Sequence, residues 1–256
     1  MDYLVFRLYG AMASWGEIAV GESRHSANYP SKSAITGLIA AALGLRREDP
    51  KQNAVTENLQ QAVKLISTGM LLKDYHTAQA PDSVGRFKYR TRRDELTFGK
   101  ERLGTILSSR EYRTDSQAIV AVRVTDSFPY SLIQVREALR TPIFHLYLGR
   151  KSCPLAAPLG AVVLEGGNFR EALDKYPLGE LSIDAPSGSS ESRWLKQDLL
   201  THYYWEGGMA DFSEDVDGFE KSHVQTLTRH DLPLSRVRWQ FQPRQEHMWL
   251  QRKGTD

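Results

Sequence analysis

The chain has 256 residues, 41% of them apolar, which is enough for a full hydrophobic core in one elaborated domain or two small ones. Its 33 basic and 31 acidic residues leave a net charge of +2, so only the local distribution of sign can point to a partner. One cysteine excludes an intramolecular disulfide and a cysteine-rich metal site, and no apolar run approaches membrane-spanning length, so the expectation is a soluble, cytoplasmic protein without membrane contact.

Residues 3–9 are rich in β-formers, apolar on both faces and stopped by Gly10, which predicts a central strand. The loop that follows carries Trp15, Arg24 and His25, and its length between two core elements favours a functional role. Trp15 is suited to stacking on a base and equally to plugging a sheet edge. Pro30 and Ser31 start a helix whose buried stripe is Ile35, Leu38, Ile39, Ala42 and Leu43. Gly44 stops it, and Gly37 leaves one flank flat enough for another backbone. Its first turn, Ser31, Lys32 and Ser33, combines free N–H groups, the positive helix end and a lysine, a candidate phosphate site.

A helical piece at 53–60 leads to two apolar runs, 62–67 and 70–77, separated by Thr68-Gly69 and expected to pair as a hairpin. Residues 111–125 supply another strand, 129–139 a helix and 161–164 a further strand. This order matches the ferredoxin-like split βαβ arrangement, an α+β fold. Between these elements, residues 86–113 hold nine basic side chains against four acidic ones. Arg86, Lys88 and Arg90 alternate there with Phe87 and Tyr89, which on an extended ribbon puts cations on one face and rings on the other. Such a ribbon suits phosphates and bases.

In 147–154, Gly149 permits a tight turn, and Arg150, Lys151 and Ser152 supply donors for a second phosphate clamp. The pattern of a nucleotide-hydrolysing phosphate loop is absent, and Cys153 reads as a buried, inert thiol. Residues 179–192 look like an irregular linker, and 206–220, with six acidic residues and no lysine or arginine, like a flexible acidic loop that avoids RNA and faces a basic neighbour. The alternation of residues 236–241 predicts a basic strand.

On residues 8–16, 29–44, Asp74-Tyr75-His76-Thr77, Arg110-Glu111-Tyr112 and above all 147–154, the chain resembles the CasD-type subunits of the type I-E CRISPR surveillance complex, Cascade, within the RAMP superfamily. The resemblance implies a ferredoxin-like, RRM-like RAMP domain over 1–165 with a long β-hairpin thumb inserted at 78–110, and a smaller β-rich extension over 166–256. It implies a non-catalytic RNA-binding subunit that holds the 5′ handle of the CRISPR RNA, places its thumb between handle and guide, and contacts the backbone and large subunits without a cofactor or metal. Carried over by position, Ser31, Lys32 and Ser33 meet handle phosphates, and Arg150, Lys151 and Ser152 form the second clamp. Tyr75, His76 and Arg110 lie at the thumb base, Arg86, Lys88 and Arg90 lie in the thumb, and Trp15 and Arg24 are additional contacts. The region 181–222 departs from the family pattern by its length. Two alternatives stay open: a metal-independent endoribonuclease assembled from Tyr75, His76 and Lys32, with His25 in reserve, and a protein-interaction subunit without RNA specificity.

Overall fold

The first strand is apolar on both faces because both faces are covered. The computed structural model of the chain describes residues 1–19, 21–82, 88–97, 100–178, 197–213 and 218–252. In strand β1 (Asp2–Tyr9), Leu4, Phe6 and Leu8 enter one hydrophobic cluster, and Tyr3 and Val5 enter a second on the opposite face. Period-2 alternation sends successive side chains to opposite sides, so a strand apolar throughout needs two cores.

The first core is closed by helices α1 (Lys32–Ala42), α2 (Pro50–Glu57) and α4 (Leu132–Arg140); α3 (Arg92–Leu96) lies apart from it. The second is closed by α5 (Phe169–Lys175) and α6 (Met209–Phe212), where Trp205 stacks on Phe212 with centroids 4.1 Å apart. Burying each such ring contributes about 1.5–3 kcal/mol.

Apart from two-residue strands in the segment 12–27, the other strands are β2 (Leu59–Ser67), β3 (Met70–Pro81), β4 (Leu103–Thr114), β5 (Gln117–Val124), β6 (Val162–Glu165), β7 (Leu200–Trp205), β8 (Gln225–Ser235) and β9 (Gln240–Arg252). Seven strands form one antiparallel sheet in the order β6-β1-β5-β2-β7-β9-β8. Its first four, with α1 and α4 as crossovers, have the strand order of the expected split βαβ arrangement. The C-terminal strands extend this same sheet beyond β2.

Helix α1 begins as its sequence dictates. Ser31 is the N-cap, accepting from the Ala34 N–H, and Gly44 follows the helix at φ +74°, where the N–H of Leu45 returns to the Ala40 carbonyl. Gly37 meets no backbone; the guanidinium of Arg236 fills the space its missing side chain leaves, 3.5 Å from where a Cβ would stand.

Two pairings differ from expectation. Residues 62–67 do not pair with 70–77: β2 pairs with β5 in the core, and β3 leaves the sheet to pair with β4 in twelve-residue register, from Met70↔Thr114 to Pro81↔Leu103. The apolar run predicted as one strand over 111–125 is likewise divided at Asp115 and Ser116. The cause lies at the two exits. Gly69 and Asp115 both take left-handed backbone, φ +64° and +55°, and redirect the chain at the ribbon root. Residues 236–241 are not one strand either, since only Gln240 and Phe241 are extended, as the start of β9. Arg236 to Trp239 form the turn between β8 and β9, with Trp239 at φ +53°.

A Cβ at Gly69 would stand 2.1 Å from the Thr114 carbonyl, whereas one at Gly21, also left-handed at φ +73°, meets nothing. Gly21→Ala is therefore expected to cost about 1 kcal/mol, the left-handed penalty alone, and Gly69→Ala at least about 2 kcal/mol more. Urea denaturation of the two variants measures the difference.

Candidate nucleic-acid interface

The start of α1 is already filled from within the chain. The Lys32 backbone N–H donates to Asp231 Oδ2 at 2.7 Å, so a carboxylate from β8 occupies the place expected for a phosphate. The Lys32 side chain is only 7% exposed; its Nζ donates to the Leu59 carbonyl at 2.8 Å and to Glu206 Oε2 at 2.6 Å. The expectation that Lys32 meets RNA is therefore corrected: its ammonium neutralises a buried acid. The expected acidic loop changes in the same way. Glu206 is buried, with Arg244 3.4 Å away, and Asp211 receives Arg123 at 2.5 Å. Glu214, Asp215 and Asp217, like the linker 179–192, lie outside the described residues.

Arg244 continues this network by donating to Asp231 Oδ1 at 2.6 Å and Glu246 Oε1 at 2.5 Å; Glu246 also accepts from the Tyr29 hydroxyl. Burial pushes the Glu206 carboxyl above its usual range against the pull of Lys32 and Arg244. At Asp231, burial acts in the same direction, but Arg244 and the Lys32 N–H outweigh it and hold the carboxyl below the aspartate range.

Above this buried network opens a cleft of about 1370 Å³, bounded by the exposed flank of α1, the segment 144–151 and the tip of the β8–β9 hairpin. Of the residues expected to meet handle phosphates, Ser31, Ser33 and Lys151 line this cleft, Ser31 nearly buried as the helix cap. The sequence reading missed the rest of its cationic wall: Arg46, Arg47, Arg229 and Arg236, with His145, His230 and the rings of Trp239 and Phe241. The carboxylates in the wall are Glu17 and Asp231, and both are engaged, by Arg229 at 3.3 Å and by Arg244. Among the described residues, no carboxylate pairs with Arg46, Arg47, Lys151 or Arg236, so the cleft carries surplus positive charge that suits a polyanion.

The second cationic locus is the root of the ribbon. Arg24 lies beside Arg110 in a short parallel pairing, and Arg110 stands across from Asp74 on β3. Arg24 is exposed, its guanidinium turned back on the Gly21 carbonyl at 2.5 Å. Next to them His25 Nδ1 lies 3.1 Å from Glu111 Oε1. Burial works to raise the Glu111 carboxyl, but the Ser26 N–H and the His25 ring take it below the usual glutamate range. Tyr75 is 63% exposed, and His76, on the opposite face of the ribbon, pairs with Asp74. Lys88 and Arg90 are exposed near the far end of the ribbon, and Arg86 lies outside the described residues.

The glycine turn joins the two loci. Gly149, at φ +84°, brings its Cα so close to Ser14 that a Cβ would stand 1.9 Å from the Ser14 carbonyl. From this anchored turn Lys151 borders the cleft, while Arg150 lies over the Tyr112 ring of β4 at 5.0 Å. Ser152 is exposed. Cys153 is buried as expected, and burial raises its thiol. Trp15 is corrected: at 3% exposure beneath this turn it belongs to the core and offers no face to a base. Among the described residues, no helix is long and apolar enough to cross a membrane.

A family model described as "CRISPR-associated protein (Cas_Cas5)" matches residues 3–246. The chain belongs to the Cas5 family of CRISPR-associated proteins. It is 32% identical over 190 residues to "CRISPR system Cascade subunit CasD" of Escherichia coli (strain K12), covering 70% of this chain and 79% of that protein. A chain of a solved "CRISPR RNA-guided surveillance complex" has a TM-score of 0.63 at 21% identity, with 98% of this chain and 90% of that one covered. A solved "Cas protein" has a TM-score of 0.53 at 19% identity, with 98% and 93% covered. At these identities the two structures bear on the fold alone.

In this Cas5 chain the set weighed for phosphodiester cleavage is not assembled. Tyr75 and His76 project from opposite faces of the ribbon, and the Lys32 ammonium is held by Glu206. Lys32→Met leaves Glu206 buried with the longer Arg244 contact alone, and is expected to cost about 3 kcal/mol in urea denaturation. A phosphate-binding surface lysine would lose RNA affinity instead and leave the unfolding midpoint in place. The depressed Asp231 contributes stability above the ordinary aspartate value, about pH 4, that is lost as pH falls through its lower folded value. Asp231→Asn is expected to flatten that acid limb in a series of denaturation curves taken below pH 5.

Proposed function

We propose that the chain is the RNA-handle subunit of a Cascade-type CRISPR surveillance complex, acting in antiviral defence. It holds the 5′ handle of the CRISPR RNA, caps the backbone assembly and does not cleave the RNA. The observation that carries this reading is the cationic cleft, whose own carboxylates are consumed, joined by the glycine turn to a second cationic locus at the ribbon root. An extended polyanion can follow that path. Phosphates meet Lys151, Arg110 and Arg24 in succession, and the ribbon stands beside the path, available as the thumb that separates handle from guide.

Contact with the backbone and large subunits follows from the same reading, the ribbon offering exposed apolar residues such as Met70, Leu71 and Ile106 beside its cations. The non-catalytic assignment is supported by the dispersal of Tyr75, His76 and Lys32, because general base, general acid and phosphorane-stabilising cation must converge within hydrogen-bond reach of one phosphodiester.

Labelled CRISPR repeat RNA and a scrambled control, incubated with the full chain in metal chelator and run on paired native and denaturing gels, test the reading. Selective retention of intact repeat RNA is expected, weakened about five- to tenfold by Lys151→Ala and by Arg110→Ala, with a shallower salt dependence in each variant. Equal retention of both RNAs would leave a protein-interaction role, and a cleavage product lost in His76→Ala would make the chain a nuclease.

A further inference from the structure

The tip of the β8–β9 hairpin is built in a way that sheet pairing does not require. Trp239 takes left-handed backbone at φ +53°, a conformation that glycine adopts freely and a bulky residue adopts at a cost. The residue is 56% exposed, although Trp is the side chain with the most to gain from burial. One face of the ring is covered by the Arg47 guanidinium, its Cζ 4.3 Å from the ring centroid. Phe241, two residues on, lines the same cleft.

In the same cleft wall, Arg236 is fixed against α1, donating from Nη2 to the Ser33 carbonyl at 3.0 Å and to Thr36 Oγ1 at 2.9 Å. Both acceptors are neutral, so the guanidinium keeps its full charge, and its buried Nε has no hydrogen-bond partner. Burial and the like charge of Arg47 pull Arg236 below the usual arginine value. Two guanidinium groups in one cleft wall, with no carboxylate paired to either among the described residues, are stabilised by an anion that bridges them.

We propose that Arg47, Arg236 and Trp239 form a single-nucleotide subsite in the cleft, the two guanidinium groups holding one phosphate and the open face of the indole stacking the attached base. The inference rests on the RNA-handle reading and deepens it by placing one unstacked nucleotide at a defined point. The strain at Trp239 then has a physical return. A turn glycine would relax the backbone but could not present a ring over the phosphate site, and stacking a base on an aromatic ring contributes about 1–3 kcal/mol. Because the ring reads a π-face and no hydrogen-bonding edge, the subsite selects an unpaired nucleotide over a paired one and does not select among bases.

Repeat RNAs carrying 4-thiouridine at successive handle positions, crosslinked to the full chain by near-ultraviolet light and mapped by mass spectrometry, locate the contact. A crosslink from one position to the peptide containing Trp239 is expected. Trp239→Ala is expected to lower affinity about tenfold, Trp239→Phe to restore most of it, and Arg47→Ala to lower affinity and flatten the salt dependence. These side chains lie at an exposed turn and in the cleft wall, and unchanged unfolding midpoints verify that the variants are folded. If wild type retains the RNA while Trp239→Ala and Arg47→Ala bind as tightly and crosslinks map elsewhere, the subsite is wrong and the handle reading stands. If wild type does not retain the RNA, both fall.

Discussion

The architecture depends on a buried ionic network at the start of α1. Lys32, Glu206, Arg244, Asp231 and Glu246 come from the first helix, the end of β7 and both strands of the C-terminal hairpin, and each is within salt-bridge or hydrogen-bond distance of another. Burying so many charges is expensive unless every one is matched, so the network tolerates essentially one relative placement of these elements. It joins helix α1 to the C-terminal strands more specifically than apolar packing does, because hydrophobic contact accepts small slips and a matched guanidinium does not. The cationic cleft is a consequence of that placement: the hairpin that supplies Asp231 and Arg244 also carries Arg229, Arg236 and Trp239 over α1.

The core elements were legible because local signals agreed. Ser31 and Gly44 bound a helix with a clean buried stripe, and strands 1 and 5 announced their double burial by being apolar on both faces. The hairpin predicted across Thr68-Gly69 failed for a specific reason. A short glycine-containing turn between two apolar runs indicates a reversal of direction, but it does not say whether the second run folds back on the first. Here the partner of 62–67 lies some fifty residues on, and nothing local distinguishes β5 from β3. The exposed β3 carries Leu71, Leu72 and Tyr75, β-formers that look like core residues in a single sequence.

The site was legible in part for a similar reason. Charge or a glycine turn marked Ser33, Lys151 and Arg110 in the sequence, and the fold puts the first two in the cleft wall and the third at the ribbon root. Lys32 was misread because a lysine in the first turn of a helix has the same local signature whether its partner is a phosphate or, as here, a carboxylate 174 residues away. The reverse error hid Arg236 and Trp239. Alternation of Arg236 and Arg238 with Val237 and Trp239 is the pattern of a half-buried strand, and here the same four residues form a turn at the cleft.

The outer strands of the large sheet set how the molecule can meet others. β6 has only four residues, and β8, on the far side, carries Pro233 and two register breaks against β9. A short edge and an irregular one both resist the addition of a further strand. The large sheet is thereby protected from polymerising edge to edge. A neighbour that meets either of these edges must recognise it through side chains, so specificity there is written in sequence and not in backbone geometry that any extended segment could copy.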